Sequence, residues 1–300
     1  MATASIPGIS LDALTKRYGR DVGVEDLTFQ VQRGELVGFL GPNGAGKSTA
    51  MRALMGILKI TSGNAQILGV DVRGASPNLR SSIGYLPGSP AFYNNLSSGE
   101  FLEFLAHVRK VDCSTEIEDL ANRLKLDLSR RIKSQSKGNR QKVGLIQALM
   151  HKPDVLILDE PTSALDPLVQ HEFSELMAEA KQRGAAVLLS SHVLSEVEHL
   201  ADRVVIINAG RLLRVSDMDA LQHRTVQAMV LTFPAAVPVQ TFLPVPGVRD
   251  AQARGTHITL NVIGPVTEVL RTAVAHGVIH IQTSEPSLDD IFYSIVNGDV

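Results

Sequence analysis

The sequence predicts an α/β fold built on a mainly parallel sheet, followed by a second, smaller α/β domain. Three observations predict it. A glycine-rich loop at Gly41 to Thr49 is preceded by the apolar run Leu36 to Leu40 and followed by a helical pattern. Beyond Pro153 the apolar runs Val155 to Leu158, Ala186 to Leu189 and Val204 to Ile207 alternate with helical segments, as strands of a parallel sheet do. From about Arg224 the texture changes to weak strands and frequent prolines, five of them between Pro234 and Pro265.

Each element has its own signal. Phe29 and Val31 alternate with polar neighbours as a short strand, and Arg33-Gly34-Glu35 turns the chain into Leu36 to Leu40. Met51, Leu54, Met55 and Leu58 give Ser48 to Leu58 helical spacing, and Gln66 to Leu68 is a short strand between glycines. The stretch from Ser97 to Met150 reads as mostly helical, with stripes at Phe101, Leu105 and Val108 and at Ile117, Leu120 and Leu124. Pro167 to Arg183 is a helix with Asp166 as N-cap, Pro167 at its first position and Gly184 as its stop. In the tail the pattern predicts strands at Val226 to Phe233, His257 to Val262 and Val278 to Thr283, and helices at Val266 to Ala275 and Leu288 to Val296. The expected division is a domain over 1–216, a linker over 217–224 and a small domain over 225–300.

Composition narrows the class. The 300 residues carry 29 basic against 31 acidic side chains, and a net charge of −2 argues against a general nucleic-acid binder. Cys113 has no second cysteine to pair with, so a reducing cytoplasm is the expected compartment. Met1 to Ser10 lacks the basic start and apolar core of a secretory signal. No apolar run approaches the ~20 residues that cross a bilayer, so work at a membrane requires another chain as anchor.

Gly41-Pro42-Asn43-Gly44-Ala45-Gly46-Lys47-Ser48-Thr49 satisfies the phosphate-loop pattern. Glycines let the backbone curl until successive N–H groups point at phosphate oxygens, and the following helix start adds its positive end. Lys47 is placed to reach the β- and γ-phosphates, and Ser48 to ligate Mg²⁺. With glycine near 7% of residues, the pattern's fixed positions arise by chance in about one chain per hundred of this length. Val155 to Leu158 runs into Asp159-Glu160. A strand beside the loop's strand would put Asp159 at the carboxyl edge of the sheet, where it can hold magnesium, and Glu160 near the γ-phosphate to polarise an attacking water. Alone, Asp159-Glu160-Pro161 is equally well explained as the end of a strand. His192 closes the strand from Ala186 to Ser191 on the same edge, although most lone histidines are structural. His192, Glu196 and His199 do not follow the His-Glu-x-x-His order of a zinc site.

Together these residues resemble the nucleotide-binding subunit of an ATP-binding-cassette transporter over about residues 9–215. The family's signature segment, usually Leu-Ser-Gly-Gly-Gln, reads Gln135-Ser136-Lys137-Gly138-Asn139 here, keeping the serine and the second glycine. The resemblance implies a P-loop NTPase-like domain with an N-terminal antiparallel β region and a helical subdomain over about 89–150. It implies ATP and Mg²⁺ as cofactors, Tyr18 stacking on adenine, and His192 contacting the γ-phosphate. It also implies that Ser163-Ala164-Leu165-Asp166 touches a partner cassette, a second copy or a sister ATPase. In that head-to-tail pair Ser136 and Gly138 serve the partner's nucleotide.

One position departs from the family. Gln normally follows a strand like Ser82 to Pro87, where it helps to bind magnesium and relays the state of the nucleotide to the membrane partner. Gly88 stands there and offers no side-chain ligand. The small tail domain ending in Ser287-Leu288-Asp289-Asp290-Ile291-Phe292 resembles that of exporter-class members. The resemblance therefore implies a cytoplasmic ATPase subunit, peripheral to the membrane, that drives a separate integral membrane permease for export. Two alternatives stand beside it: a soluble cassette ATPase acting on ribosomes or DNA, and a nucleotide sensor without hydrolysis.

Overall fold

The computed structural model describes residues 6–74, 76–218, 220 and 226–284. Two compact units divide between Val215 and Ser216. Of the expected linker, Asp217 is the last residue of a strand, and residues 219 and 221–225 lie outside the described part. The expected helix at Leu288 to Val296 and the segment Ser287 to Phe292 also lie outside it.

The first unit is built on two sheets. An antiparallel sheet takes the order β2(Asp21–Val31), β1(Ile9–Tyr18), β4(Ser62–Ile67), β5(Val70–Asp71). The second sheet has the order β10(Arg211–Asp217), β9(Arg203–Asn208), β3(Leu36–Leu40), β8(Ala186–Ser191), β7(Val155–Asp159), β6(Ile83–Leu86). Its pairs β9–β3, β3–β8, β8–β7 and β7–β6 are parallel. Every residue of β3, β7 and β8 is buried, which is why these strands read as unbroken apolar runs rather than alternations. Val37, Phe39, Ile157 and Leu188 pack with Phe29, Leu27 and Met51 in one core, so the antiparallel sheet and α1(Lys47–Leu54) cover one face.

α1 stops four residues before the spacing predicts, because Gly56 adopts a left-handed φ of 66° just beyond the C-cap Met55. α2(Pro77–Ser81) leads into β6, and the middle of the chain forms α3(Ser98–Arg109), α4(Ser114–Arg123) and α5(Lys137–Leu149). The stripe expected on α3 is displaced: Phe101, Leu102 and Ala106 are buried, while Val108 is exposed. α6(Pro167–Gln182) begins as predicted, with the Asp166 carboxylate accepting the Val169 N–H at 3.1 Å and Pro167 at its start. Arg123 of α4 ties the helical stretch to α6 by bonds to Glu172 at 2.5 Å and Glu179 at 2.8 Å.

α5 lies unusually close to β6. A Cβ at Gly84 would sit 2.1 Å from the Ala148 carbonyl, and one at Gly144 would sit 2.6 Å from Leu86 Cδ1. Glycine on both surfaces permits this approach, which later fixes where α5 meets the functional edge. Among the described residues no helix is long and apolar enough to cross a membrane.

The second unit is an antiparallel sheet in the order β12(Val248–Arg254), β13(His257–Ile263), β11(Val226–Thr232), β14(His280–Ser284), with α7(Thr267–Ala275). Met229, Leu231, Ile258, Leu260 and Val262 alternate along their strands and form its core with Phe233, Phe242, Val269 and Ala273.

His151, just beyond α5, joins the helix to β6: the Ile83 carbonyl accepts its Nε2–H at 3.1 Å, while its Nδ1 is buried with no hydrogen-bond partner. Burial, with Arg109 nearby, pushes its pKa down from 6.5 to about 4. The unfolded chain therefore takes up a proton as pH falls below about 6.5, and the folded chain does not until about 4. Stability is predicted to fall with pH across that window, and His151→Gln to flatten the slope in urea titrations at a series of pH values. An unchanged slope in the variant contradicts this account.

Candidate active site

The functional edge is the carboxyl end of the parallel sheet. β3 ends at Leu40 and opens into the loop Gly41 to Gly46, from which α1 starts at Lys47. A Cβ at Gly41 would lie 2.5 Å from the Ile207 carbonyl, and one at Gly46 would lie 2.5 Å from that of Gly23. Gly44 has open space but a φ of 83°, so glycine is required there by conformation. Within the loop Ala45 N–H donates to the Pro42 carbonyl at 3.1 Å, and Asn43 is exposed. α1 has no side-chain cap and its N-cap, Gly46, is left-handed, so the first-turn amides near Ser48 and Thr49 lack a side-chain acceptor. A loop with uncapped amides, a lysine and a hydroxyl at its exit fits a polyphosphate.

The Lys47 ammonium is 6% exposed; it donates to the Gly41 carbonyl at 2.6 Å and lies 3.5 Å from Glu160 Oε1. Burial pushes its pKa below the ordinary lysine range, while Glu160 and Asp159 pull the other way. β7 delivers Asp159, 1% exposed, whose Oδ1 accepts from Ser190 Oγ at 2.7 Å. Its Oδ2 faces the Gly88 N–H at 3.4 Å, and a Cβ at residue 88 would lie 3.2 Å from it. The position expected to offer no side-chain ligand thus presents its main-chain amide to the carboxylate.

Glu160 turns with a left-handed φ of 52°. Its N–H donates to Ser190 Oγ at 3.0 Å, and its Oε2 meets His192 Nδ1 at 2.8 Å. Its Oε1 is buried without a hydrogen-bond partner. A carboxylate with one oxygen on an imidazole and the other facing an ammonium is held in one orientation, as a general base must be. The structure therefore gathers Lys47, Asp159, Glu160 and His192 into one cluster. Tyr18 is half exposed, and its ring and the Thr49 methyl flank Gly23, at 2.8 and 3.0 Å from where that residue's Cβ would be. Ser136 and Gly138 do not join the cluster. The Ser136 hydroxyl caps α5 by accepting the Asn139 N–H at 3.2 Å, and a Cβ at Gly138 would lie 2.5 Å from the Ala164 carbonyl.

Two supporting residues escape a reading of motifs. Ser190 bridges both acids, and the only sequence signal for it is its place at the end of an apolar strand next to β7. Glu196, considered above only for metal, accepts from Thr162 Oγ1 at 3.0 Å and Ser191 Oγ at 2.7 Å, joining the turn after Glu160 to the end of β8 just before His192.

Comparison with known proteins agrees with this geometry. A family model described as ABC transporter matches residues 24–163, from β2 through both acids. Over 294 residues the chain is 33% identical to the bacitracin transport ATP-binding protein BcrA of Bacillus licheniformis, covering 95% of this chain and 96% of that one. The chain belongs to the ATP-binding-cassette transporter family. It is an ATP-binding and ATP-hydrolysing subunit of that family. Another relative, the probable multidrug ABC transporter ATP-binding protein YbhF of Escherichia coli, is 34% identical over 222 residues, 72% of this chain and 38% of that one. A solved structure described as the ATP-binding subunit of an ABC transporter superposes with a TM-score of 0.67 at 33% identity, over 71% of this chain and 91% of that one.

Ser190→Ala deprives the Glu160 N–H of its acceptor and the Asp159 carboxylate of a donor. The variant is predicted to lose about 1–3 kcal/mol of stability, read by urea unfolding, and most of its ATP turnover. Retention of both contradicts the bridging role.

Proposed function

We propose that this cassette powers export through a separate integral membrane permease, at the cytoplasmic face and as a head-to-tail pair with a second copy or a sister ATPase. The observation that carries the chemistry is the Glu160 carboxylate, 2.8 Å from His192 Nδ1 and 3.5 Å from Lys47 Nζ beside buried Asp159. In this reading the loop Gly41 to Thr49 cradles the triphosphate through its main-chain N–H groups, Pro42 having none, and Tyr18 stacks on the adenine. Lys47 leaves the Gly41 carbonyl for the β- and γ-phosphates, where positive charge is worth most as the transferred group separates. Glu160 accepts the proton of the attacking water, and His192 holds that carboxylate and meets the γ-phosphate.

Ser48 and Asp159 would hold the magnesium ion, which when bound neutralises charge on the phosphates. The buried Asp159 carboxylate, held by one hydroxyl and one amide, suits that ligand role. Ser136 and Gly138, apart from their own chain's cluster, serve the nucleotide of the partner cassette. Support for the transport role comes from the names of two relatives, one a bacitracin transport protein and one a probable multidrug transporter.

Glu160→Gln keeps the size of the side chain and removes its basicity. Loss of a general base costs about 10²- to 10⁴-fold in rate, so kcat for ATP is predicted to fall by at least 100-fold while a fluorescent ATP analogue still binds. Unchanged turnover would remove Glu160 from the role of base.

A further inference from the structure

Gln141, in the second turn of α5, is 4% exposed and has polar work to do. Its Nε2 donates to the carbonyls of Glu160 and Pro161, each at 3.1 Å. The loop that it meets is strained: Glu160 has a φ of 52° and Ala164 one of 67°, left-handed values that residues with a Cβ adopt at a cost. The first turns of α5 hold this loop at two further points. Gly138 lies against the Ala164 carbonyl, and Lys142 Nζ stands 3.9 Å from Asp166 Oδ2.

The direction of a side chain is set by the peptide planes on either side of its Cα. For Glu160 both planes are tied. Ser190 Oγ holds the N–H before the Cα, and Gln141 Nε2 holds the carbonyl after it. Fixing both planes fixes the Cα–Cβ vector, and with it the aim of the carboxylate at His192 and Lys47.

We propose that Gln141 is a positioning residue for ATP hydrolysis, clamping the left-handed turn at Glu160 and so aiming the base. The proposal rests on the reading of Glu160 as base given above. It also gives α5 a double duty, since the helix that carries Ser136 for a partner's nucleotide sets the base of its own chain.

The test uses the purified full chain and steady-state ATP kinetics. Gln141→Met keeps the volume and removes the donor. Because small misplacements of a reacting group cost up to about 10²-fold, kcat is expected to fall about 10- to 100-fold, with KM and fluorescent-analogue affinity changed less than about threefold. On the Glu160→Gln background the same substitution should lower the residual rate less than about twofold, because the group it aims is already disabled. Gln141→Glu supplies a second readout that packing alone would not move. Its carboxyl donates only when protonated, so kcat relative to the unsubstituted chain should rise as pH falls from about 8 to about 6. A kcat for Gln141→Met within twofold of the unsubstituted chain overturns the proposal, as does a full additional loss on the Glu160→Gln background or a flat pH ratio for Gln141→Glu. Failure of the underlying reading has a different signature: Glu160→Gln alone then leaves kcat intact.

Discussion

The site depends on one register. β8 lies between β3 and β7, with Leu40 opposite Ser191 and Asp159 opposite Ser190. That pairing delivers the end of the loop strand, the two acids and His192 to a single edge. Because all three strands are buried on both faces, a slip by one residue would exchange every side chain between two apolar layers. The apolar pattern alone therefore does not single out this register, and the polar ends of the strands do. Only where the strands stop do Asp159, Ser190 and Ser191 appear, and each finds a hydrogen bond there.

Past that edge the backbone departs from its easy conformations, and neighbouring groups hold it. The turn at Glu160 carries a strain of about 1–3 kcal/mol, and Ser190, Gln141 and the Thr162–Glu196–Ser191 chain surround it. The Lys47 ammonium is likewise buried against carbonyls and a carboxylate, an arrangement in which its charge has little water to answer to. Preorganised charge in a dry setting is the condition under which electrostatic stabilisation of a reacting phosphoryl group is strongest. Gly88 belongs to the same edge. A side chain there would crowd Asp159, and its amide meets the carboxylate instead.

Much of this was legible in the sequence, for a physical reason. Lys47, Ser48, Asp159 and Glu160 belong to contiguous segments whose chemistry depends on local backbone, and the strands that carry them are apolar enough to stand out. His192 could be placed because it terminates such a strand. Ser190, Gln141 and Glu196 act across the fold, through atoms 30 or 19 residues away from the groups they hold and a glutamate bridging two loops, and no local spacing encodes that. β12 is not legible because a register shift between Val248 and Asp250 sets Val248 and Ala251, three residues apart, against the core, so the strand shows no regular alternation of large apolar residues. The displaced face of α3 has a similar cause, since Leu102 and Ala106 fit a helical stripe as well as Leu105 and Val108 do.

The most direct test of the central claim is a crystal structure of the full chain with magnesium and a non-hydrolysable ATP analogue. The account predicts the triphosphate along residues 41 to 49, Lys47 Nζ moved from the Gly41 carbonyl to a phosphate oxygen, and Glu160 and His192 facing the terminal phosphate. A nucleotide bound elsewhere, or Lys47 still on the Gly41 carbonyl with Glu160 turned away from the phosphates, would contradict it.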